Sequence, residues 1–224
     1  MNRLTENLRF LSEQKGDTFN AFLARFGVTS VGALTVDQLQ LIAQEFNVPM
    51  DQLLNYCCFV NKEQLKNIKL LILDIDGVMT DAGMYFMESG DQMKKYNAKD
   101  GMAIMALTKQ KFHVGIISSG FKLEMVKARA DLLNIQHVYV GREPKMDILN
   151  QWCAELELTL AEVAIIGDDI NDLPVMRSVG FSACPSDAVP EVKKQVDLVL
   201  TKKGGQGCVR EFIDHYLLDA PVTR

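Results

Sequence analysis

Two clusters of aspartates could hold a divalent cation. Asp74 and Asp76 are separated by one residue in the segment LLILDIDGV. The second cluster, in GDDIND, comprises Asp168, Asp169 and Asp172. Carboxylates placed this closely repel one another unless a cation or a proton offsets their charge. Because hard oxygen ligands at this density suit Mg²⁺, the clusters predict a magnesium site that could in turn hold a phosphate.

Two further segments could complete a site for phosphoryl transfer. Ser118 and Ser119 precede Gly120, and hydroxyl and backbone N–H groups there could bind phosphate oxygens. Lys145 follows Pro144 and offers a positive charge to the same group. Each of these residues alone would be an ordinary loop or helix-start residue. Their ordered combination with the aspartates is what predicts catalysis.

A parallel sheet would bring these side chains together. Apolar runs of strand length recur as KLLILD, HVGIISS, HVYVG, EVAIIGD and VDLVLT. Helical patterns separate them, over residues 99–109, 122–133, 144–156 and 171–178. Near-continuous apolar strands alternating with helices predict an α/β fold, with a Rossmann-like parallel sheet covered by helices on both faces. In such sheets ligands bind at the carboxyl ends of the strands, where the polar residues fall.

Two segments depart from this alternation. Residues 82–96 carry two short β-prone stretches around an ESGD turn and predict a projecting β-hairpin. The first sixty residues show only helical spacing, with Thr35 as a helix N-cap, and predict a small all-helical unit. We therefore expect a helical domain over residues 1–62 and a catalytic domain over residues 63–224.

Composition narrows the class of protein. The 224 residues carry 24 basic and 29 acidic side chains, a net charge of −5, which argues against a general nucleic-acid binder. The sequence shows no apolar run of membrane-spanning length and no signal-peptide pattern. The five cysteines form no C-x-x-C pair. We expect a globular cytoplasmic protein.

The ordered motifs resemble those of the haloacid dehalogenase-like superfamily of phosphotransferases. The first family motif, D-x-D-G-V, matches residues 74–78, and the fourth, G-D-D-x-x-D, matches residues 167–172. The second motif is a Ser or Thr after a strand, here Ser118, and the third is Lys145. The resemblance covers roughly residues 69–217.

This resemblance implies a role for each motif residue. Asp74 would attack phosphorus and form an aspartyl-phosphate, and Asp76 would act as general acid and then as general base. Mg²⁺ would be held by Asp74, by the backbone carbonyl of Asp76 and by Asp168. Ser118 and Lys145 would stabilise the phosphoryl oxygens.

Within the superfamily the chain is similar to the capless 3-deoxy-D-manno-octulosonate 8-phosphate phosphatases of lipopolysaccharide biosynthesis, whose relatives act on nonulosonate 9-phosphates. The supporting segments are DGVMTD, the hairpin, NAKDG and GGQGCVRE. The resemblance implies a phosphorylated sugar acid as substrate and a homotetramer built on a ring of hairpins. The substrate-binding residues that it implies, besides Asp76 and Lys145, are Asn97, Lys99, Asp100, Gly101, Ser119, Gly120 and Arg129.

Three positions depart from the pattern of that group. The group follows its second-motif strand with T-G-R, where this chain has SSGF, residues 118–121. The group also tends to carry Arg where Met105 and Gln206 stand here. Arg142 could replace one of these contacts to an acidic sugar. The exact sugar therefore stays open between the octulosonate and nonulosonate phosphates.

The helical unit resembles a Cro/C1-type helix-turn-helix domain, mainly in its final NVPMDQLL segment. Residues 1–60 contain four basic and six acidic side chains, a balance of −2, which offers few contacts to DNA phosphates. Two hypotheses remain. The first is a Mg²⁺-dependent sugar-acid phosphatase, and the second is a helix-turn-helix regulator that uses a phosphatase-like domain to sense a phosphorylated metabolite.

Overall fold

The computed structural model describes residues 3–60, 62–120 and 123–218. The chain divides into two compact units, Met1–Val60 and Asn61–Arg224. Two residues named in the sequence analysis, Phe121 of the SSGF segment and Lys122 at the start of a predicted helix, lie outside the described residues.

The first unit is all-helical in its described part. Its core is formed by side chains at helical spacing, among them Leu8, Phe22, Ile42 and Leu53, which are completely buried. Thr35 is an N-cap, as predicted, and forms a capping box with Gln38. The helices are α1 (Arg3–Gln14), α2 (Phe19–Arg25), α3 (Val36–Glu45) and α4 (Met50–Asn55), with a 3₁₀ turn at Val31–Ala33.

The second unit contains a six-stranded parallel sheet with the order β5-β4-β1-β6-β7-β8. Every residue of β1, β6 and β7 is buried, as expected for strands covered on both faces. The predicted α/β fold is confirmed. The strands are β1 (Leu70–Leu73), β4 (His113–Ser118), β5 (His137–Val140), β6 (Val163–Ile166), β7 (Phe181–Cys184) and β8 (Leu198–Val199).

Helices follow most strands of this sheet. The α-helices are α5 (Ala98–Lys109), α6 (Leu123–Leu132), α7 (Lys145–Glu155), α8 (Leu173–Met176), α9 (Pro190–Lys193) and α10 (Cys208–Phe212). Shorter helical turns lie at Lys62–Leu65, Ile75–Met79, Leu160–Glu162, Ile170–Asp172 and Ile213–Leu217. Helix α5 packs with α10, and α7 packs with α8. Among the described helices, none combines the length and the apolar character that a membrane span requires.

The predicted hairpin is present as two antiparallel strands, β2 (Tyr85–Phe86) and β3 (Gln92–Met93). Its turn is closed by hydrogen bonds from the Met87 and Gly90 backbone N–H groups. The hairpin and α5 account for the chain between the loop after β1 and the start of β4, so no cap domain occupies this interval, all of which is described.

Candidate active site

The carboxyl ends of β1, β4, β5 and β6 border a cavity of about 430 Å³. Six predicted site residues line this cavity and come from three of these strand ends. They are Asp74, Asp76, Ser118, Ser119, Gly120 and Asp168. The polar lining comprises Asp74, Asp76, Gln92, Lys94, Ser118, Ser119, Arg142, Asp168, Asp169 and Asn171. The other lining residues are Ala82, Met84, Phe86, Gly120, Val126 and Val140.

Asp74 lines the cavity and directly follows the central strand β1. Its backbone N–H extends the sheet by donating to the Ile166 carbonyl at 3.1 Å. Its Oδ1 accepts the Ile75 backbone N–H at 2.7 Å, and Lys145 Nζ lies 3.2 Å from its Oδ2. The carboxylate is therefore buried and fixed, with one oxygen beside a cation. This is the arrangement expected of a nucleophile that must not rotate away from its target.

Lys145 is held in place by a second buried aspartate. Its Nζ donates to Asp172 Oδ1 at 2.6 Å, and Asp172 Oδ2 accepts the Asp168 and Asp169 backbone N–H groups at 3.0 and 3.4 Å. Asp172 is completely buried, and Lys145 is only 7% exposed. Lys145 therefore pairs with Asp172 as well as with Asp74. Asp172 thus connects the loop after β6 to the lysine at the start of α7.

Asp76 follows Asp74 and points its carboxylate at two donors. Lys94 Nζ contacts Asp76 Oδ1, and Thr80 Oγ1 lies 3.5 Å from the same oxygen. The Lys94 side chain is only 8% exposed, so its charge is largely withdrawn from water. Lys94 follows β3, and the fold of the hairpin brings it back over the end of β1.

The segment after β4 that the sequence predicts to bind phosphate also lines the cavity. Ser118 is buried, and its Oγ accepts the Gly120 backbone N–H at 3.3 Å. Ser119 Oγ accepts a hydrogen bond from Asn171 Nδ2 at 3.3 Å. Two hydroxyl groups therefore face the cavity from the strand next to β1, as the sequence predicts.

Three comparisons with known proteins bear on this site. A family model described as a haloacid dehalogenase-like hydrolase matches residues 138–213. The 3-deoxy-D-manno-octulosonate 8-phosphate phosphatase KdsC of Yersinia pestis is 38% identical over 156 residues, which cover 70% of this chain and 83% of that protein. The chain belongs to the haloacid dehalogenase-like hydrolases.

Solved structures agree with this assignment. The crystal structure of the Yersinia pestis phosphatase has a TM-score of 0.68 and 37% identity, and the match covers 70% of this chain and 84% of that one. The phosphatase of Moraxella catarrhalis, solved with magnesium, phosphate and a KDO molecule, has a TM-score of 0.67 and 31% identity. That match covers 70% of this chain and 89% of the Moraxella chain.

The carboxylates of this haloacid dehalogenase-like site fit the Mg²⁺ that such phosphatases use. Oxygen atoms of Asp74, Asp168 and Asp172 lie within 4.8 Å of one another. Burial, followed by the charges of Asp74 and Asp172, raises the pKa of Asp168 to about 8. Burial and the charge of Asp172 likewise raise the pKa of Asp74, although Lys145 opposes this. A divalent cation would relieve this repulsion and keep both groups ionised.

Gly77 allows the two aspartate clusters to meet. Its φ of +86° lies in the left-handed region, and a Cβ there would stand 2.0 Å from Asp168 Oδ2. Any other residue would therefore be strained and would displace the Asp168 carboxylate. Gly77 therefore leaves room for the Asp168 carboxylate beside Asp74.

Five residues expected at the sugar pocket are placed elsewhere or at its margin. Asp100 is buried and accepts the Gly207 and Arg210 backbone N–H groups, at 3.2 and 2.7 Å. Asn97 caps α5 and donates from Nδ2 to the Gly205 carbonyl at 3.0 Å. Among the described residues, the cavity lining includes none of the set Asn97, Lys99, Asp100, Gly101 and Arg129.

Arg129 and Gly101 instead pack together on the first two helices after the hairpin. The Arg129 guanidinium lies over the Tyr96 ring, 5.4 Å from its centroid. A Cβ at Gly101 would come within 2.4 Å of Arg129 Nη2, so glycine makes room for the guanidinium. Lys99 is exposed at the start of α5.

Sequence reasoning missed several residues of the cavity, among them Lys94, Asn171 and Phe86. Asn171 was visible within the GDDIND motif, one residue before Asp172. Lys94 and Phe86 are two residues apart from other lining residues, Gln92 and Met84, so the strand period of two could have revealed one face of the hairpin.

Proposed function

We propose that this protein hydrolyses the phosphate monoester of a sugar acid through an aspartyl-phosphate on Asp74. The observation that supports it most is a fixed, buried Asp74 beside Lys145 and Asp168, at the head of a cavity wide enough for a sugar. The phosphatases to which it is similar act on 3-deoxy-D-manno-octulosonate 8-phosphate. That ester is the first candidate substrate, and a nonulosonate 9-phosphate is the second.

In the first step Asp74 attacks phosphorus, and the bond from phosphorus to the sugar oxygen breaks. Asp76 donates a proton to the leaving alkoxide, which would otherwise be too basic to depart. Lys145 and Ser118 bind the phosphoryl oxygens as charge accumulates on them. Neutralisation of that charge is also the chemistry that Mg²⁺ supplies when it is bound by Asp74, Asp168 and the Asp76 carbonyl.

In the second step a water molecule attacks the same phosphorus. Asp76, now ionised, accepts a proton from the water, and the bond from phosphorus to Asp74 breaks. Inorganic phosphate leaves, and both aspartates return to their initial protonation states. Asp169, beside Asp168 in the loop, and Asp172 support the site through Lys145 and the backbone rather than by touching phosphorus.

We also propose the cytoplasm as the site of action, because phosphorylated sugar acids are intracellular intermediates, and a homotetramer as the assembly. The exposed apolar side chains on one face of the hairpin support self-association, since Tyr85 and Met93 are 54% and 56% exposed. We further propose that residues 1–62 form a domain distinct from the catalytic domain at 63–224.

The alternative of a DNA-binding regulator receives no support from the first unit. Each of its four basic residues contacts an acidic or aromatic side chain of the same unit. Arg25 pairs with Asp17 and Glu45, Lys15 pairs with Glu45, Arg3 pairs with Glu6, and Arg9 lies over Phe19. These cations would have to exchange partners before they could bind DNA phosphates.

The decisive experiment measures phosphate release from a panel of sugar phosphates with and without Mg²⁺. The panel includes the octulosonate 8-phosphate, nonulosonate 9-phosphates and neutral aldose phosphates. We expect Mg²⁺-dependent preference for one sugar acid, abolished in Asp74→Asn. Absence of turnover by folded, Mg²⁺-loaded protein would reject the phosphatase assignment.

A further inference from the structure

We propose that Arg142 makes the enzyme prefer sugar acids. Its guanidinium would bind the carboxylate of the sugar whose phosphate lies at Asp74. This inference rests on the proposed function and deepens it. Arg142 lines the same cavity as Asp74 and Ser118 but belongs to a different element, the loop between β5 and α7.

The positive charges around the cavity divide into two kinds. Lys145 and Lys94 contact the reacting carboxylates of Asp74 and Asp76, so their charge serves the phosphoryl end. Arg142 is exposed, lines the same cavity and comes from the loop after β5. In the proposed role its guanidinium binds a part of the substrate beyond the phosphate. A planar guanidinium binds a carboxylate through two parallel hydrogen bonds, whereas a neutral sugar offers it only hydroxyl groups.

The backbone holds Arg142 in place from both sides. The Gly141 N–H donates to the Ser118 carbonyl at 3.0 Å, which ties the loop to the strand that carries the phosphate-binding hydroxyl. The Glu143 N–H donates to Tyr139 Oη at 3.0 Å. Both peptide neighbours of Arg142 are therefore anchored, which lowers the entropy that binding would cost.

Gly141 is required for this anchoring. A Cβ at this position would lie 2.3 Å from Tyr139 Oη, so a larger residue would push the hydroxyl away from the Glu143 N–H. Tyr139, Gly141 and the end of β4 thus fix the backbone on both sides of Arg142. The same lining includes two apolar side chains, Val140, which directly precedes Gly141, and Val126.

The test compares two substrates in Arg142→Ala and Arg142→Lys: a sugar-acid phosphate, and p-nitrophenyl phosphate, which has no carboxylate. We expect kcat/KM for the sugar-acid phosphate to fall by about tenfold to a hundredfold in Arg142→Ala, the worth of a charged hydrogen bond. Arg142→Lys is expected to recover only part of the loss, because an ammonium cannot form the paired bonds. Turnover of p-nitrophenyl phosphate is expected to stay unchanged.

Two further variants test the orientation of Arg142 and control for the loss of an exposed arginine. Tyr139→Phe removes the hydroxyl that accepts the Glu143 N–H but leaves Arg142 present. We expect a smaller loss of kcat/KM than in Arg142→Ala, again for the sugar-acid phosphate and not for p-nitrophenyl phosphate. Arg177→Ala is the matched control, because Arg177 is an exposed arginine bonded to Gln195 and lies outside the cavity lining as described. It should change neither substrate's turnover.

A binding measurement gives a readout that does not depend on turnover. Titration of the Mg²⁺-loaded protein with the dephosphorylated sugar acid 3-deoxy-D-manno-octulosonate is expected to show a Kd that rises at least about tenfold in Arg142→Ala. Equal losses on both substrates, or no loss on either, would overturn the role of Arg142 while the phosphatase assignment stands. Arg142-dependent binding without any turnover would instead reject the phosphatase assignment and retain the role of Arg142.

Discussion

Asp76 carries the proton transfers in the proposed reaction, and its surroundings fix where that proton can go. Oδ1 faces Lys94 and Thr80, which leaves the rest of the carboxyl group toward the cavity. An ammonium in contact with one oxygen orients the carboxyl group without occupying the other. Lys94 thus holds the Asp76 carboxyl group in a fixed orientation.

Asp76→Asn is expected to lower kcat by about 10²–10⁴-fold, because an amide cannot give its proton to the leaving alkoxide. KM should change little, since the amide keeps the size of the carboxyl group and can still face Thr80. Steady-state kinetics on the preferred sugar phosphate checks this. A loss below about tenfold would show that Asp76 is not the proton donor.

Lys145 is the buried cation on which two aspartates depend. Its replacement by Met would leave Asp74 and Asp172 buried without their counter-ion. In EDTA we expect the free energy of unfolding to fall by about 3–5 kcal/mol, as for other broken buried ion pairs. Urea denaturation with EDTA and with Mg²⁺ measures it, and Mg²⁺ should recover part of the loss. A loss that is equal in both conditions would contradict a metal beside Asp74.

The site residues at the carboxyl ends of the strands could be predicted from the sequence. Asp74, Ser118 and Asp168 could be placed together because the carboxyl ends of parallel strands share one edge. Lys94 could not, because its position depends on how the hairpin bends back over β1. Asp100 was expected at the pocket, yet its carboxylate accepts backbone N–H groups of the C-terminal glycine segment.

The C-terminal glycine segment, residues 204–207, contacts the turn that follows β1, residues 75–79. Gly205 N–H donates to the Val78 carbonyl at 2.9 Å, and the Cys208 thiol donates to the same carbonyl at 3.3 Å. Val78 lies two residues after Asp76, in the turn that follows β1. NAKDG and GGQGCVRE, which the resemblance associated with the sugar, therefore hold each other and this turn together in one chain.

Strand β7, Phe181–Cys184, was not predicted, and its sequence explains why. FSAC has a polar residue second and no continuous apolar run. Ser182 is nevertheless buried, because its hydroxyl donates to Asp197 Oδ2 at 2.8 Å, and its N–H donates to the same oxygen at 2.8 Å. A tertiary hydrogen bond made at residue 197 is invisible to a local pattern.

Thr159 and Glu162 form a capping box around the helical turn that directly precedes strand β6. Its contribution to the stability of the protein depends on pH. The ion pair with Lys69, and then the Thr159 N–H and hydroxyl groups, lower the pKa of Glu162 from 4.5 to about 2. The folded protein therefore binds this proton less tightly than the unfolded chain. The stabilising contribution is complete above pH 4.5 and is lost as the pH falls toward about 2.

Glu162→Gln is accordingly expected to lower Tm at neutral pH by a small amount. The difference from wild type should shrink between pH 4.5 and about 2, where wild-type Glu162 becomes protonated. Thermal unfolding followed by circular dichroism across this range measures it. Lys69→Gln removes the ion-pair partner of Glu162 and should show the same trend more weakly. A Tm difference that is constant with pH would contradict the assignment.

The hairpin has two faces with different surroundings. Met84, Phe86 and Gln92 line the cavity. Tyr85 pairs with Met93 across the two strands, so these two side chains share the other face. Because both are more than half exposed, the second face offers an apolar surface that the active site does not use.

We expect the protein to self-associate through this outer face of the hairpin. Tyr85→Glu combined with Met93→Lys should reduce the assembled mass measured by light scattering, because burying two charges in an apolar interface is costly. Since the cavity face is unchanged, any loss of activity would report that assembly itself supports the site. Leu132→Lys, at an equally apolar position that is 69% exposed on α6, is the matched control and should leave the mass unaltered. A wild-type protein that is monomeric at all concentrations would reject the tetramer.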